Sequence, residues 1–114
     1  MTRKNWGVFL IATLGLSAPT GASTSDFGYV SQVIGMSNGA VLFNVEAPRT
    51  ALPSCHYVAV PKRWALDART PAGQAQVAIL LNAHATRKRV TVAGSSACDV
   101  WGDTETASFF LVED

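Results

Sequence analysis

The stretch 68-ARTPAGQAQVAILLNAHATRKR-89 decides the fold, because it predicts the one clear helix of the chain. Thr70 is a suitable N-cap residue, and Pro71 suits the first helical position. After Gly73 the stretch holds no further glycine or proline as far as Thr86, where we expect the helix to end. Four residues recur at helical spacing and form the predicted core face: Val77, Leu80, Leu81 and His84.

A second face of this helix carries small side chains and one isoleucine. Its members are Ala72, Ala75, Ile79 and Ala83. Two interpretations stay open for it. On a monomer such a strip is ordinary surface alanine, whereas in a homo-oligomer it would let the helices of neighbouring subunits approach closely.

Five segments around the helix are predicted to be β-strands. Before it, residues 27–36 and 40–46 flank an Asn-Gly hairpin signal, and 54-SCHYVAV-60 is the predicted third strand. After it, residues 88–94 and 106–113 are predicted as the last two. The fold class is therefore mainly β with one helix. The order β-β-β-α-β-β is that of an OB-fold-like five-stranded barrel, in which the helix lies between strands three and four.

The amino-terminal segment has the layout of a secretory signal peptide. Arg3 and Lys4 precede an apolar run over residues 8–16, and small residues follow it. The run is shorter than the roughly 20 apolar residues that cross a bilayer, so no membrane span is expected after cleavage.

Thr20 and Ala22 occupy the small-residue positions before a cleavage site, which predicts cleavage after Ala22. Residues 1–22 are then the signal peptide, and residues 23–114 are one secreted or periplasmic domain. Of nine basic residues, Arg3 and Lys4 are lost, which leaves seven against eight acids. This balance argues against nucleic acid as a partner.

Cys55 and Cys98 are the two cysteines, and in an oxidising compartment they have only each other as partners. Closing the loop between them is worth about 4 kcal/mol in the chain-entropy model. His56 lies beside Cys55, but no second Cys or His follows at zinc spacing. We therefore predict a disulfide and no metal or other cofactor.

Catalytic motifs are missing from the sequence, so we predict that the protein is not an enzyme. The serines of 94-GSS-96 lack a nucleophile elbow, and His56 and His84 have structural explanations. Asp103 and Glu105 have the spacing of a carboxylate pair on one strand, but that spacing is equally natural in a solvated turn.

A ligand site is the more concrete expectation, in the stretch 98-CDVWGDTET-106. The indole of Trp101 offers a face on which a sugar ring can stack, and Asp103 and Glu105 supply acceptors for its hydroxyl groups. Alternatively, Trp101 covers the disulfide and Asp103 caps a turn. Trp64 also has two interpretations: it binds the ligand, or it seals the core just ahead of the helix.

Residues 63–105 resemble a group of small secreted bacterial proteins with single OB-fold domains and no assigned function. Three motifs carry the resemblance: 64-WALD-67, 70-TPAG-73 and 98-CDVWGDTE-105. More distantly, the chain resembles receptor-binding B subunits of bacterial toxins, particularly that of subtilase cytotoxin.

The resemblance to the toxin subunits implies a pentameric ring with the helices around a central pore, and binding of cell-surface glycans. Ala75 and Ile79 would then line the ring, and Cys55 and Cys98 would form the family disulfide. No glycan site carries over, so Trp101 is a hypothesis from its own chemistry. We expect a non-enzymatic protein that binds a glycan or a protein. The alternative is a monomeric periplasmic stability or inhibitor protein with no small ligand.

Overall fold

The computed structural model describes residues 21–114, so almost all of the predicted signal peptide lies outside the described residues. Five strands and one helix follow the predicted order. They are β1 (Gly28–Gly35), β2 (Ala40–Glu46), β3 (Arg63–Asp67), α1 (Pro71–Ala85), β4 (Arg89–Gly94) and β5 (Ala107–Val112). The prediction of a mainly β domain with one helix is confirmed.

The strands form one antiparallel sheet in the spatial order β3-β2-β1-β4-β5. Over residues 21–114 this sheet is not closed into a barrel, so the barrel is not confirmed. Its two edges do approach each other at one point. A single parallel bridge pairs Ala65 of β3 with Thr106, just before β5, and the Ala65 N–H donates to the Glu105 carbonyl at 3.1 Å.

The third strand lies farther along the chain than predicted. Residues 54–60 form turns instead, in which the His56 N–H donates to the Pro53 carbonyl and the Val60 N–H donates to the Tyr57 carbonyl. Strand β3 begins only at Arg63, after Pro61. The reason is packing, because Trp64 and Leu66 bring large apolar side chains to the core, whereas Tyr57 and Val58 are exposed.

The core lies between one face of the sheet and α1. Its buried members are Val30, Phe43, Val45, Trp64, Leu66, Leu80, Ala83, Val90, Val92 and Ala107. The start of α1 is as predicted, with the Thr70 hydroxyl accepting from the Gly73 N–H at 2.9 Å. A Cβ at Gly73 would lie 1.7 Å from the Asp67 carbonyl oxygen. Only glycine therefore allows the first turn of the helix to sit this close to the end of β3.

The helix faces the core with part of the predicted stripe, because Leu80 is buried and Val77 packs against the core, whereas His84 is exposed. Gly73, Leu80 and Ala83 are the buried positions, whereas Leu81 is 47% exposed. Ala83, predicted on the oligomer face, is fully buried within the subunit. The small face is thus reduced to Ala72, Ala75 and Ile79, all of them exposed.

Candidate functional site

The predicted disulfide between Cys55 and Cys98 is present. It joins the turns of residues 54–60 to the segment that carries Trp101, and the Tyr57 N–H donates to the Asp103 carbonyl at 2.9 Å. Two segments that lack strand or helix structure are thereby held against each other.

Trp101 and Asp103 lie on a tight turn at the surface. The Thr104 N–H donates to the Trp101 carbonyl at 2.9 Å and closes this turn. Trp101 is half-buried, and the Asp103 side chain is about half exposed, at 48%. Both side chains keep some exposed surface, so the ligand-binding interpretation of Trp101 and Asp103 stays a prediction beside the structural one.

Glu105 and Trp64 lie inside the protein, with no exposed surface. This placement corrects their assignment to a ligand surface. The Glu105 carboxylate accepts four hydrogen bonds: from the Ser23 N–H and hydroxyl, from the Arg49 guanidinium at 2.9 Å and from the Ser96 N–H at 2.8 Å. A Cβ on Gly94 would lie 2.0 Å from this carboxylate, so glycine is required opposite it.

Burial disfavours the charged form of Glu105, but the hydrogen bonds to its carboxylate outweigh this effect of burial. Desolvation alone would raise the pKa of Glu105, yet the bonds from Ser23, Ser96 and Arg49 hold that pKa below its ordinary value. Burial lowers the pKa of Arg49, and its bond to Glu105 opposes this shift. Both groups are therefore charged at neutral pH and form a buried ion pair.

Arg49 also explains how Trp64 is accommodated. Its guanidinium carbon lies over the Trp64 indole, 3.5 Å from the ring centroid. Its Nη1 donates to the carbonyls of Pro61 and Arg63 at 2.9 and 2.8 Å. Arg49 thus contacts the backbone at the start of β3, the Trp64 ring and the Glu105 carboxylate.

His56 is a structural histidine in this arrangement. Its Nδ1 accepts from the Glu105 N–H at 2.9 Å, so its Nε2 carries the proton and donates to the Val60 carbonyl at 2.8 Å. Burial is the main reason that the pKa of His56 lies below its ordinary value. The neutral ring is therefore the form that the fold requires.

A surface groove of about 350 Å³ lies beside these segments. It opens on the face of β1 and β2 opposite to the core and reaches the residues that lead into β3. Its lining includes Gln32, Ile34, Asn44, Val60, Lys62 and Arg63. The lining combines two carboxamides, two cations and apolar surface.

Gln32 enters the groove because β1 is irregular there. The register of β1 against β2 shifts between Ser31 and Ile34, and Gln32 has a φ of 51°. A positive φ is costly for a residue with a side chain, and such strain concentrates at functional sites. The Asn44 amide donates to the Gln32 side-chain oxygen at 3.4 Å, which sets the two carboxamides side by side.

Arg63 connects the groove to the turn that carries Trp101. Its Nη2 donates to the Asp103 carboxylate at 2.6 Å, and its Nε donates to the Thr104 hydroxyl at 2.9 Å. The other cation, Lys62, pairs with exposed Glu46 at 2.8 Å. Asp103 therefore orients one wall residue of the groove, in addition to being accessible itself.

The sequence reasoning missed the groove, because its residues come from three separated segments. The available signal was the polar residues on both faces of residues 27–36, which left neither face purely apolar. Gln32 and Asn44 stand out only once β1 and β2 are paired.

Within residues 21–114, no group of three or more His, Cys, Asp or Glu side chains is placed to hold a metal ion. In the same part of the chain, no helix has the length and apolar character needed to cross a membrane. Comparisons with protein-family models, with curated proteins and with solved structures found no match. The resemblance to secreted OB-fold proteins and toxin B subunits therefore stays a prediction.

Proposed function

We propose that the protein is a non-enzymatic binding protein that holds a glycan in the groove lined by Gln32, Asn44 and Arg63. The observation that carries the proposal is the pair of adjacent carboxamides beside two cations. A carboxamide donates and accepts hydrogen bonds, so the pair suits neighbouring sugar hydroxyl groups.

The remaining lining fits the same ligand class. Ile34 is 42% exposed and offers an apolar contact for the C–H face of a sugar ring. Lys62 and Arg63 supply positive charge for a carboxylate on an acidic sugar. Each cation has several N–H donors, so it can bind a ligand carboxylate in addition to its present partner. Trp101 and Asp103 lie next to Arg63 in this bonding network and extend the proposed site.

We also propose that the domain is a variant of the OB-fold and assembles as a homo-oligomer, with a pentamer as the specific expectation. The strand order and the single bridge between Ala65 and Thr106 support the relationship to the OB-fold. The exposed helix face of Ala72, Ala75 and Ile79 is the proposed contact between subunits. Ring assembly would multiply weak glycan contacts on one surface.

The proposed compartment is the periplasm or the extracellular medium. The Cys55 to Cys98 disulfide is compatible with either, since both are oxidising. The predicted cleavage after Ala22 supports export.

A protein partner is the second candidate function, because one specific surface favours it. Phe109 and Leu111 on strand β5 are 55% and 58% exposed, on the face of the sheet away from the core. Paired exposed apolar side chains on an edge strand are typical of protein contacts. If the protein is instead a monomeric periplasmic inhibitor or stability protein, this surface would contact its protein partner.

The test is a glycan array of neutral and sialylated oligosaccharides, probed with the oxidised protein that starts at Ser23. We expect binding to one structural class of glycan and its loss in Asn44→Ala and Gln32→Ala. Ser108→Ala, on exposed strand β5, is the matched control and should bind as wild type. A folded wild-type protein that binds no glycan would refute the proposal.

A further inference from the structure

The chain passes from solvent into the core within one residue, at Ser23. Gly21 and Ala22 are exposed, whereas Ser23 has no exposed surface. The next residues hold it in place, because Thr24 bridges to β4 and the Ser25 N–H donates to the Val92 carbonyl at 2.9 Å. The Ala22 to Ser23 bond thus lies at the boundary between exposed and buried chain.

The nitrogen of Ser23 faces a carboxylate. It donates to the Glu105 Oε2 at 3.2 Å, and the Ser23 hydroxyl donates to the Oε1 of the same group. The Ser23 hydroxyl also accepts from the Arg49 Nε at 2.9 Å, and the Ser23 carbonyl accepts from the Gly94 N–H at 2.9 Å. A charged N–H donor at this nitrogen would make a stronger hydrogen bond to the carboxylate than an amide N–H does.

We propose that Ser23 is the amino terminus of the mature protein and that the buried Glu105 carboxylate binds its α-ammonium group. The inference rests on the predicted cleavage after Ala22 and is independent of glycan binding. Signal-peptide removal then completes an ion-binding site inside the fold.

The chemical step is the hydrolysis of one amide by a signal-peptide hydrolase. The C–N bond between Ala22 and Ser23 breaks, and the oxygen of a water molecule bonds to the Ala22 carbonyl carbon, which leaves as a carboxylate. The Ser23 nitrogen takes both protons of the water and becomes an α-ammonium group. An α-amine has an ordinary pKa of about 7.7 to 8.0, so it is mostly protonated at neutral pH.

The charged and titratable side chains around the new ammonium group come from three segments of the chain. Glu105 supplies the negative charge, Arg49 a positive charge, and His56 is neutral against the Glu105 backbone. Strand β4 contacts Ser23 through Gly94 and the next residue, Thr24, through Ala93, neither of which titrates. Arg49 binds Oε1 and the Ser23 nitrogen binds Oε2, so the two cations use different oxygens of the carboxylate.

The consequence is that the processed chain folds more stably than the unprocessed one. In the precursor, a neutral N–H donates to Glu105, whereas in the mature chain a charged donor takes its place, and charge-assisted hydrogen bonds are the stronger ones. Export through a membrane requires an unfolded chain, so weaker folding of the precursor would favour its transport.

The test compares three oxidised proteins: one that starts at Ser23, its Nα-acetylated form, and one extended by Gly21 and Ala22. We expect the folding equilibrium constant of the Ser23 protein to exceed the others about five- to tenfold at about pH 6.5. Because Glu105 raises the pKa of the folded α-amine, the advantage is complete below the unfolded pKa. It should disappear as pH rises through the folded pKa. Equal stabilities with equal pH slopes would overturn the proposal.

Three further measurements test the buried α-ammonium group. The intact mass of the exported protein should correspond to a chain that starts at Ser23, and a different start would overturn it. An amine-reactive ester should label the α-amine of the Ser23 protein far more slowly than that of the extended protein, whose terminus is exposed. Equal labelling of the two folded proteins would contradict a buried ammonium group. Where Glu105→Gln folds, it should abolish the stability difference between the Ser23 and extended forms.

Discussion

Arg49 and Glu105 form an ion pair with 2.9 Å between Nη2 and Oε1, and only 5% and 0% of their side chains are exposed. The pair links the loop after β2 to the residue two positions before β5. Since Trp64 packs under Arg49 and Ser23 bonds Glu105, four separate segments meet at this pair. Its loss should therefore loosen the region that supports the groove.

Arg49→Met tests the stability of this centre. The methionine keeps an apolar contact with Trp64 but leaves Glu105 buried without its cation. We expect a loss of about 3 to 5 kcal/mol in the free energy of unfolding, measured by urea denaturation. Lys62→Met is the control, because it breaks only the exposed pair with Glu46 and should cost within about 1 kcal/mol. If both variants lost the same free energy of unfolding, the buried pair would contribute no more to stability than the exposed one.

Stability should fall at acidic pH in two stages, because two buried groups have lowered pKa values. The pKa of His56 is lowered mainly by burial, so its contribution is complete above its unfolded pKa of about 6.5 and is lost as pH falls through its folded pKa. The pKa of Glu105 is lowered by hydrogen bonds that outweigh burial, so its contribution is lost at lower pH, below its unfolded pKa of about 4.3.

His56→Gln should remove the first stage and leave the second. The measurement is the free energy of unfolding across the acidic range, for the wild type and for the variant. His84→Gln serves as the control, because His84 is exposed at the end of α1. If the first stage persisted in His56→Gln, the assignment to His56 would be wrong.

The fold was predictable where local patterns and core packing agree. The N-cap at Thr70, the Asn-Gly hairpin and strand β2 follow from neighbouring residues alone, and the structure confirms them. The third strand was misplaced because residues 54–60 form turns that leave Tyr57 and Val58 exposed, whereas the core takes its large apolar side chains from β3. Strand β3 is short, and its three central residues are all buried, so it shows no alternation.

The site was harder to predict, because its partners are far apart in the chain. Glu105 looks like one of several solvated acids in 98-CDVWGDTET-106, and its cation lies 56 residues away. A sequence pattern does not reveal such a pair, since only the fold brings Arg49 beneath it. Trp101 and Asp103 lie in a turn beside Gly102 and are partly buried, so both interpretations of this turn remain open.

Removal of the disulfide should destabilise the domain strongly. Cys55 and Cys98 are separated by 43 positions, and opening a loop of this length costs about 4 kcal/mol in the chain-entropy model. The double variant Cys55→Ala with Cys98→Ala and the reduced wild type should show the same loss in urea denaturation. A double variant as stable as the oxidised protein would contradict this expectation.

The proposed subunit contact is tested by Ala75→Arg on the exposed helix face. We expect light scattering after size exclusion to change from an oligomer to a folded monomer, because arginine would place bulk and like charge between neighbouring helices. Leu81→Arg, exposed on another side of α1, should leave the mass unchanged. A wild-type monomer, or an unchanged mass in Ala75→Arg, would exclude this face.

The most direct test of glycan binding in the groove is a nuclear magnetic resonance titration of the oxidised protein with the oligosaccharide that gives the strongest array signal. Backbone and side-chain amide shifts should change together at Gln32, Asn44 and Arg63, with smaller changes at Trp101. Shifts confined to α1 or β5, or no shifts at saturating oligosaccharide, would contradict the account.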